Sequence, residues 1–305
     1  MTETIDYGRF HIWLDQAREA GAMDPGARWD LLRRFQEEWG YEPAGDGCPP
    51  EDLPDEHTSY VARGEAEAST GATGATGATG DDPQDDGPRD DGPRDVDPSL
   101  AIPAALAQWW DLPFNSFTDR SDAYETNPIW PPTVRPDPTG YGVAGGLSDD
   151  NPFVGPGEDL RMCVFMAENQ FCNEWGYPAA RAHLADPQVL VSGVDEDGRE
   201  TWVLQSRSVS EFLLQLAVTR LPAAYGWIVE QGTVDPEVVA RLRASLKPMG
   251  FLPWRETGSH TEYFGGPDVI VGYNTGQGDC ELVACARTET ALGRLAETLG
   301  LDWEE

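Results

Sequence analysis

Apolar residues recur every three or four positions through the first forty residues, which is the spacing of an amphipathic helix. The first predicted helix covers residues 7–20, and its apolar positions are Phe10, Trp13, Ala17 and Ala20, with Ile12 beside them. A second helix is predicted to begin near Asp24, with Pro25 at its first position and Gly40 as its terminator. Two helices make a thin core, so we expect this module to dock on the rest of the chain; self-association and partner binding are the alternatives.

The apolar pattern stops between residues 63 and 98, where the chain has no Leu, Ile, Phe, Trp or Tyr. The triplet Gly-Ala-Thr repeats across residues 71–79, and DDGPRDDGPRD follows from Asp85 to Asp95. Ten acidic residues and three arginines give this segment a net charge of -7. It cannot bury enough apolar surface to offset the entropy of ordering, so the sequence predicts a disordered linker. An acidic arm that docks on a cationic partner is the alternative.

After the linker the pattern predicts alternating short helices and strands. Residues 102–110 are predicted as a short helix, and the proline-rich passage 112–156 as a long loop that is functional or wraps the domain. A central strand is predicted over 160–167, because its apolar run is nearly continuous. The further predicted strands are 174–177, then 189–191 and 201–204 as a hairpin turned at Asp197-Gly198, and then 261–264, 269–273 and 281–286.

Helix signals are strongest in the second half of the chain. Ser208 and Glu211 form a capping box, in which each side chain is expected to bind the other residue's backbone amide, ahead of an apolar helix toward Leu221. A second helix is predicted to begin at Asp235-Pro236, and a last one to run from Thr288 to Gly300.

Strands clustered between helices, without strict alternation, favour an α+β fold with a mixed, mostly antiparallel sheet packed against helices. The predicted organisation is a helical module over residues 1–62, a disordered acidic linker over 63–98 and an α+β domain over 99–305.

The chain has 305 residues and a formal net charge of -33, from 54 acidic and 21 basic residues. This balance argues against direct nucleic-acid binding, because phosphates would be repelled. A basic protein partner suits it, since opposite potentials speed encounter; acidity that merely maintains solubility is the alternative. No apolar run reaches the roughly 18 residues of a membrane helix, and MTETIDYGRF lacks the features of a secretion signal. With five cysteines and no CxxC pair, we expect a cytoplasmic protein with reduced thiols.

No motif in the sequence predicts catalysis. The four histidines are scattered, without metal-ligand spacing, so we expect no metal and no cofactor. Cys163 with His183 is conceivable as a nucleophile and base, but Cys163 lies in an apolar strand pattern that favours an inert, buried thiol. Gly140-x-Gly142-x-x-Gly145 matches the dinucleotide fingerprint as a string, yet it follows prolines instead of a strand and opens no helix. We therefore expect no catalytic residue.

The most informative stretch begins at Glu168, Asn169 and Gln170, which end the apolar strand, and continues to Trp175 on the next strand. One interpretation is a hairpin corner whose polar side chains satisfy the backbone of the turn. The other is a partner-binding rim around Trp175, a residue type favoured at interface hot spots. Asp186, at a second polar corner, is open to the same two interpretations.

These residues also resemble a known family. Glu168-Asn169-Gln170, Trp175-Gly176, Asp186-Pro187-x-Val189 and Ser210-Glu211-Phe212-Leu213 occur in an order similar to that of the SUKH superfamily, as do Tyr263 to Asp268 and a terminal helix ending at Trp303. That superfamily includes fungal cell-wall regulators and bacterial immunity proteins, and the resemblance spans roughly residues 101–305. It implies an α+β domain without chemistry of its own, which binds a cognate toxin, often a nuclease. The post-linker part fits a basic toxin, since its 30 acids and 13 bases give -17.

Two main functional hypotheses remain from the sequence. In the first, the protein is a cytoplasmic immunity protein that neutralises a basic, nuclease-type toxin by direct binding. In the second, it is a scaffold or peptide-binding adaptor, chaperone-like and without a toxin partner, which recruits through its N-terminal helices and proline-rich loop. An enzyme of unknown type is third.

Overall fold

The computed structural model describes residues 3–41, 96–112, 126–136, 145–194 and 200–303. The helices are α1 (Phe10–Met23), α2 (Asp30–Glu38), α3 (Ala104–Trp110), α4 (Val209–Tyr225), α5 (Pro236–Ser245) and α6 (Glu289–Leu299). The strands are β1 (Thr126–Arg135), β2 (Met162–Glu168), β3 (Glu174–Pro178), β4 (Val189–Val194), β5 (Glu200–Ser206), β6 (Trp227–Gln231), β7 (Lys247–Pro248), β8 (Thr261–Gly266), β9 (Val269–Asn274) and β10 (Leu282–Ala286).

The strands form two antiparallel sheets, ordered β1-β2-β3-β4-β5 and β6-β10-β9-β8-β7. This confirms the α+β class, with two sheets where the sequence suggested one. The hairpin turn Asp197-Gly198 and most of the predicted linker lie outside the described residues. Among the described residues, no helix is long and apolar enough to cross a membrane.

Helix α4 is the central element of the molecule. It is apolar around most of its circumference, and eleven of its residues are buried; a helix with this pattern has to be enclosed on all sides. Its core cluster contains Phe165 and Trp175 of the first sheet together with Ile270 and Cys285 of the second. The two sheets therefore share one core through α4. A second cluster holds α5 and α6 against the other face of the second sheet.

The N-terminal helices dock on this core, as the sequence analysis favoured. Phe10 and Phe35 belong to the same cluster as α4, and the Phe10 ring lies 5.5 Å from that of Phe251. Helix α2 begins later than predicted: Asp24 instead binds the Gly26 amide in a turn before a 3-10 segment at residues 27–29. Gly40 does terminate the helix, with φ +75°.

The predicted loop over residues 112–156 was wrong in one part, because it contains strand β1. Three prolines, Pro128, Pro131 and Pro132, lie within that strand. Proline cannot donate to a sheet ladder, but β1 is an edge strand, and its register against β2 shifts between Pro128 and Thr133. An edge strand with an irregular register can therefore contain prolines, which would not be tolerated in a central strand.

Two of the predicted helix caps form their side-chain hydrogen bonds. Ser208 accepts from the Glu211 amide at 3.1 Å, and Thr288 accepts from the Ala291 amide at 3.2 Å. The carboxylate of Glu211 does not reach back to its cap residue. It pairs instead with Arg18 of α1 at 2.9 Å and with Arg207 at 2.7 Å. The predicted capping box is thus half formed, because tertiary cations compete successfully for the carboxylate.

Candidate functional site

The turn between β2 and β3 contains three of the predicted partner-binding residues. Glu168 is buried, and its carboxylate accepts from the backbone amides of Gln170 at 2.9 Å and Cys172 at 3.1 Å. Asn127 donates its side-chain amide to the carbonyl oxygens of Glu168 and Asn169, at 3.0 Å each. Asn169 and Gln170 are exposed. Glu168 therefore supports the turn from within, as in the hairpin-corner interpretation, and of the three predicted residues only Asn169 and Gln170 face solvent.

The aromatic residue that this turn presents to solvent is Phe171. Its φ angle is +59°, and its amide donates to the Glu168 carbonyl at 2.8 Å. The side chain is 54% exposed. A bulky residue in the left-handed region costs about 1 kcal/mol, so the hydrogen bonds of the turn hold Phe171 in a conformation that it would not adopt alone.

Trp175 requires a correction. It is fully buried, with its ring centroid 5.7 Å from that of Phe212 and 5.4 Å from that of Trp254. An interface anchor has to be reachable by the partner, and this side chain is enclosed between the first sheet and α4. Trp175 is a core residue, and Phe171, four positions earlier, is the exposed aromatic of this region.

Asp186 also forms hydrogen bonds and an ion pair within the protein. Its carboxylate accepts from the Ser210 amide at 3.0 Å and from the Ser210 hydroxyl at 2.6 Å, and Arg28 lies 3.5 Å away. It thus places a negative charge at the N-terminus of α4, where the helix dipole favours one. Asp186 follows the end of β3 opposite to the Glu168 turn, so the predicted residues do not form a single rim.

A groove of about 450 Å³ lies between the second half of α4 and one face of the second sheet. We call it the edge groove, because β6 at the edge of the sheet forms one side of it. Two cross-strand rows form its floor. One row is Ile228, Cys285 and Ile270, and the next is Glu230, Val283, Gly272 and Tyr263. Gly272 has no side chain, so the Tyr263 ring lies close over its backbone.

The edge groove is acidic. Glu230, Glu256 and Glu281 line it, against the single guanidinium of Arg220. Arg220 is paired with Glu256 at 2.5 Å, and Glu256 also accepts from the Trp254 indole. Glu281 accepts from the Val234 amide at 2.9 Å. Three carboxylates and one cation leave the groove with two formal negative charges in excess.

The thiols of the edge groove are held neutral. Burial raises the pKa of Cys285 to about 12. Desolvation raises the pKa of Cys280 as well, with the neighbouring charges of Glu230 and Asp279 adding to the effect. Because the thiolate is the nucleophilic form, this electrostatic environment disfavours covalent chemistry at either position.

A second cavity, of about 720 Å³, adjoins the edge groove and shares Glu256 and Ser259 with it. We call it the loop cleft, since the turn after β2 and residues 255–260 form its walls. Asn173 joins these walls: its side chain accepts from the Thr257 amide at 2.5 Å and donates to the Ser192 carbonyl at 2.6 Å. Val194 on the cleft is 70% exposed.

The residues weighed for catalysis do not assemble. Cys163 lies in the core with its pKa raised to about 12 by burial, whereas His183 is exposed. Within the described ranges, no three His, Cys, Asp or Glu side chains are placed to hold a metal ion. Of the glycine string, only Gly145 is described.

No protein-family model, no curated protein and no solved structure matches this chain. The similarity to the SUKH superfamily therefore remains a prediction from short motifs, and function has to be argued from the site itself.

The residues that define the edge groove were not predicted from the sequence. Its outer strand, Trp227 to Gln231, was not predicted, although a run rich in aromatic and β-branched residues between Gly226 and Gly232 is a strand signal. Glu230 was one of 54 acidic residues. Only the fold distinguishes it, by placing it at an edge beside exposed apolar side chains.

Proposed function

We propose that this protein is a non-catalytic, cytoplasmic binding protein that neutralises a basic protein toxin, of the nuclease type, by direct contact. Two sequence features support the proposal: the ordered motifs that resemble the SUKH superfamily, and a net charge of -33. Cationic proteins built to hold phosphates are steered toward such a potential, which raises the association rate and disfavours acidic competitors.

The edge groove is the observation that carries the proposal. Ile228 lines the groove and is 39% exposed, and Glu230 follows two positions later on the same face of β6, while Trp227, 50% exposed, lies on the opposite face of this edge strand. Exposed apolar side chains beside an excess of carboxylates suit a partner that presents cationic and apolar groups together. In such interfaces the apolar anchors supply most of the affinity, and the charges supply specificity and speed.

The test is co-expression with the product of the adjacent reading frame, followed by calorimetry on the purified pair. We expect protection of the host cell, a one-to-one complex, and an affinity that falls about tenfold or more between 50 and 500 mM salt.

Two charge variants then locate the contact. Glu230→Gln is expected to slow association, whereas Glu19→Gln on α1, an exposed residue outside the groove, removes the same charge and is expected to have little effect. A neighbouring gene without toxin character, together with no protection, counts against the proposal. If the two variants have equal effects, toxin binding is still supported, but its contact lies outside the edge groove.

The loop cleft favours one alternative, a peptide-binding adaptor or scaffold. Val194 lines the cleft and is 70% exposed, and the exposed Phe171 directly precedes Cys172, which also lines it. The protein thus has two adjoining surfaces on which different partners could bind. Affinity purification from the source cells separates the two functions. One stoichiometric basic partner supports neutralisation, and several unrelated partners whose capture depends on Phe171 support the adaptor.

A further inference from the structure

Strand β6 is the outermost strand of the second sheet. It pairs with β10 on one side, and no strand among the described residues pairs with it on the other. An edge strand presents a row of backbone donors and acceptors to which another strand can add. The five residues of β6 are enough for a short augmenting strand of about 16 Å.

The hydrogen-bond pattern shows which backbone groups face outward. The amide of Asn274 donates to the carbonyl of Glu281 at 2.8 Å and the amide of Arg287 donates to the carbonyl of Asp268 at 3.0 Å, so the hydrogen-bonded pairs of β10 with β9 include Val283 and Cys285. Hydrogen-bonded positions alternate along an antiparallel ladder, so Ala284, which lies between these two residues, turns its amide and carbonyl to β6 and pairs with Val229. The amides and carbonyls of Ile228 and Glu230, on either side of Val229, therefore face the open edge.

The charges at this edge select among possible occupants. A second copy of the chain would bring two acidic grooves and two molecules of net charge -33 together. The chain's own residues 63–98 carry -7 and would be repelled in the same way. A basic segment meets the opposite sign. Glu230 points to the groove face of the sheet, and Trp227 and Val229 point to the other face.

We propose that β6 accepts an extended, basic segment of the partner as a sixth strand of the second sheet. The alternation of β6 specifies the segment: cationic side chains lie on the groove face beside Glu230, and apolar side chains lie beside Trp227 on the opposite face. This inference rests on the proposed function, because it specifies how the basic partner binds. Backbone hydrogen bonds provide the attachment, and Glu230 provides the selection for charge.

The probe is a ten-residue synthetic peptide of alternating lysine and valine, titrated against the full chain and followed through its backbone amide resonances. We expect saturable binding that shifts the signals of residues 227–231. Ile228→Pro removes an outward donor and leaves the inward bonds of the ladder in place, so the variant is expected to fold and to bind about tenfold more weakly. Ile228→Ala retains the donor and is the matched control, expected to change binding less than about twofold.

A peptide N-methylated at alternate residues tests the same bonds without altering the protein, and it is expected not to bind. Strand addition is overturned if the Ile228→Pro variant binds the peptide normally and the N-methylated peptide binds the unaltered protein normally. If binding then still falls with Glu230→Gln, a basic partner at the groove survives and only the strand mode fails. A concentration-dependent dimer that Ile228→Pro abolishes would assign the edge to a second copy and overturn the basic segment.

Discussion

Glu168 shows how a residue with an interface-like side chain serves the backbone instead. Its carboxylate accepts from two amides of a tight turn, which neutralises donors that a buried turn would otherwise leave unpaired. The consequence appears three positions later, where Phe171 is held at a positive φ angle with its ring in solvent. Polar residues of a turn can thus position a neighbour without making contact with a partner themselves.

The strain at Phe171 leads to a prediction about stability. Phe171→Gly removes the left-handed penalty but adds backbone entropy to the unfolded chain, so we expect the free energy of unfolding to rise by about 0.5 kcal/mol. Gln170→Gly, one residue earlier, has the same entropy cost but relieves no backbone strain, so it should lower the free energy of unfolding. Urea unfolding of both variants measures the difference. A clear loss of stability with Phe171→Gly would show that the ring contributes packing that outweighs the strain.

The buried thiols lead to a second prediction. Burial raises the pKa of Cys163 and of Cys285 to about 12, whereas Cys172 is exposed. In the folded protein at pH 8 we expect iodoacetamide to modify Cys172 and to leave the two buried thiols intact, because alkylation requires an accessible thiolate. Peptide mapping by mass spectrometry checks this, with the urea-unfolded chain as the control in which all three react. Rapid modification of Cys163 would reopen the enzymatic hypothesis.

At the scale of elements, β1 illustrates how context overrides propensity. Its prolines favour a loop, yet the strand persists at the edge, where it covers one side of β2. A buried ion pair ties it in place: Arg135 of β1 contacts Glu174 of β3 at 2.7 Å, and both side chains are more than nine-tenths buried. The pair links the two strands that flank β2.

This ion pair gives a prediction for the first sheet. Removing one partner leaves an uncompensated buried charge, so Glu174→Leu is expected to reduce the free energy of unfolding by about 3–5 kcal/mol. The double variant Arg135→Met with Glu174→Leu removes both charges and should cost much less than either single change. Chemical unfolding of Arg135→Met, Glu174→Leu and the double variant gives the coupling free energy between the two side chains. Additive losses would show that the pair is not coupled and that the cost comes from packing alone.

At the scale of the whole molecule, the N-terminal helices belong to the folding unit. Asp268 and Arg287 fasten the first residues: Asp268 exchanges backbone and side-chain hydrogen bonds with Ile5, and Arg287 donates to the carbonyls of Glu3 and Glu38. Phe10, Phe35 and their aromatic neighbours complete the core around α4. Docking of this module hides apolar surface that neither part could expose alone.

A prediction follows for truncated chains. A chain that begins at residue 96 lacks this cover, and we expect it to lose cooperative unfolding and to bind a hydrophobic dye. Its matched control retains residues 3–41 and replaces residues 42–95 with a flexible linker of about 20 glycines and serines, and it should unfold like the full chain. Near-ultraviolet circular dichroism and thermal melts compare the two. A well-folded chain from residue 96 would show that the module is dispensable.

Much of the secondary structure could be predicted from the sequence, because local periodicity and capping residues act over a few positions. The boundaries around Thr288, Gly300 and Pro236 were predicted correctly for this reason. The candidate site could not be predicted in this way. Whether Trp175 faces a partner or the core depends on α4, and whether Glu230 lies at an edge depends on the order of five strands, which local patterns do not encode.

The amino-acid sequence by itself determined the strongly acidic character, the helices and most of the strands, since these depend on composition and on neighbours within one or two turns. The tertiary structure alone decided that two sheets share α4, that Phe171 is exposed where Trp175 is buried, and that β6 is left open beside three carboxylates. The physical reason is that burial and edge position are properties of contacts between residues far apart in the chain. Those contacts form only when the whole core closes.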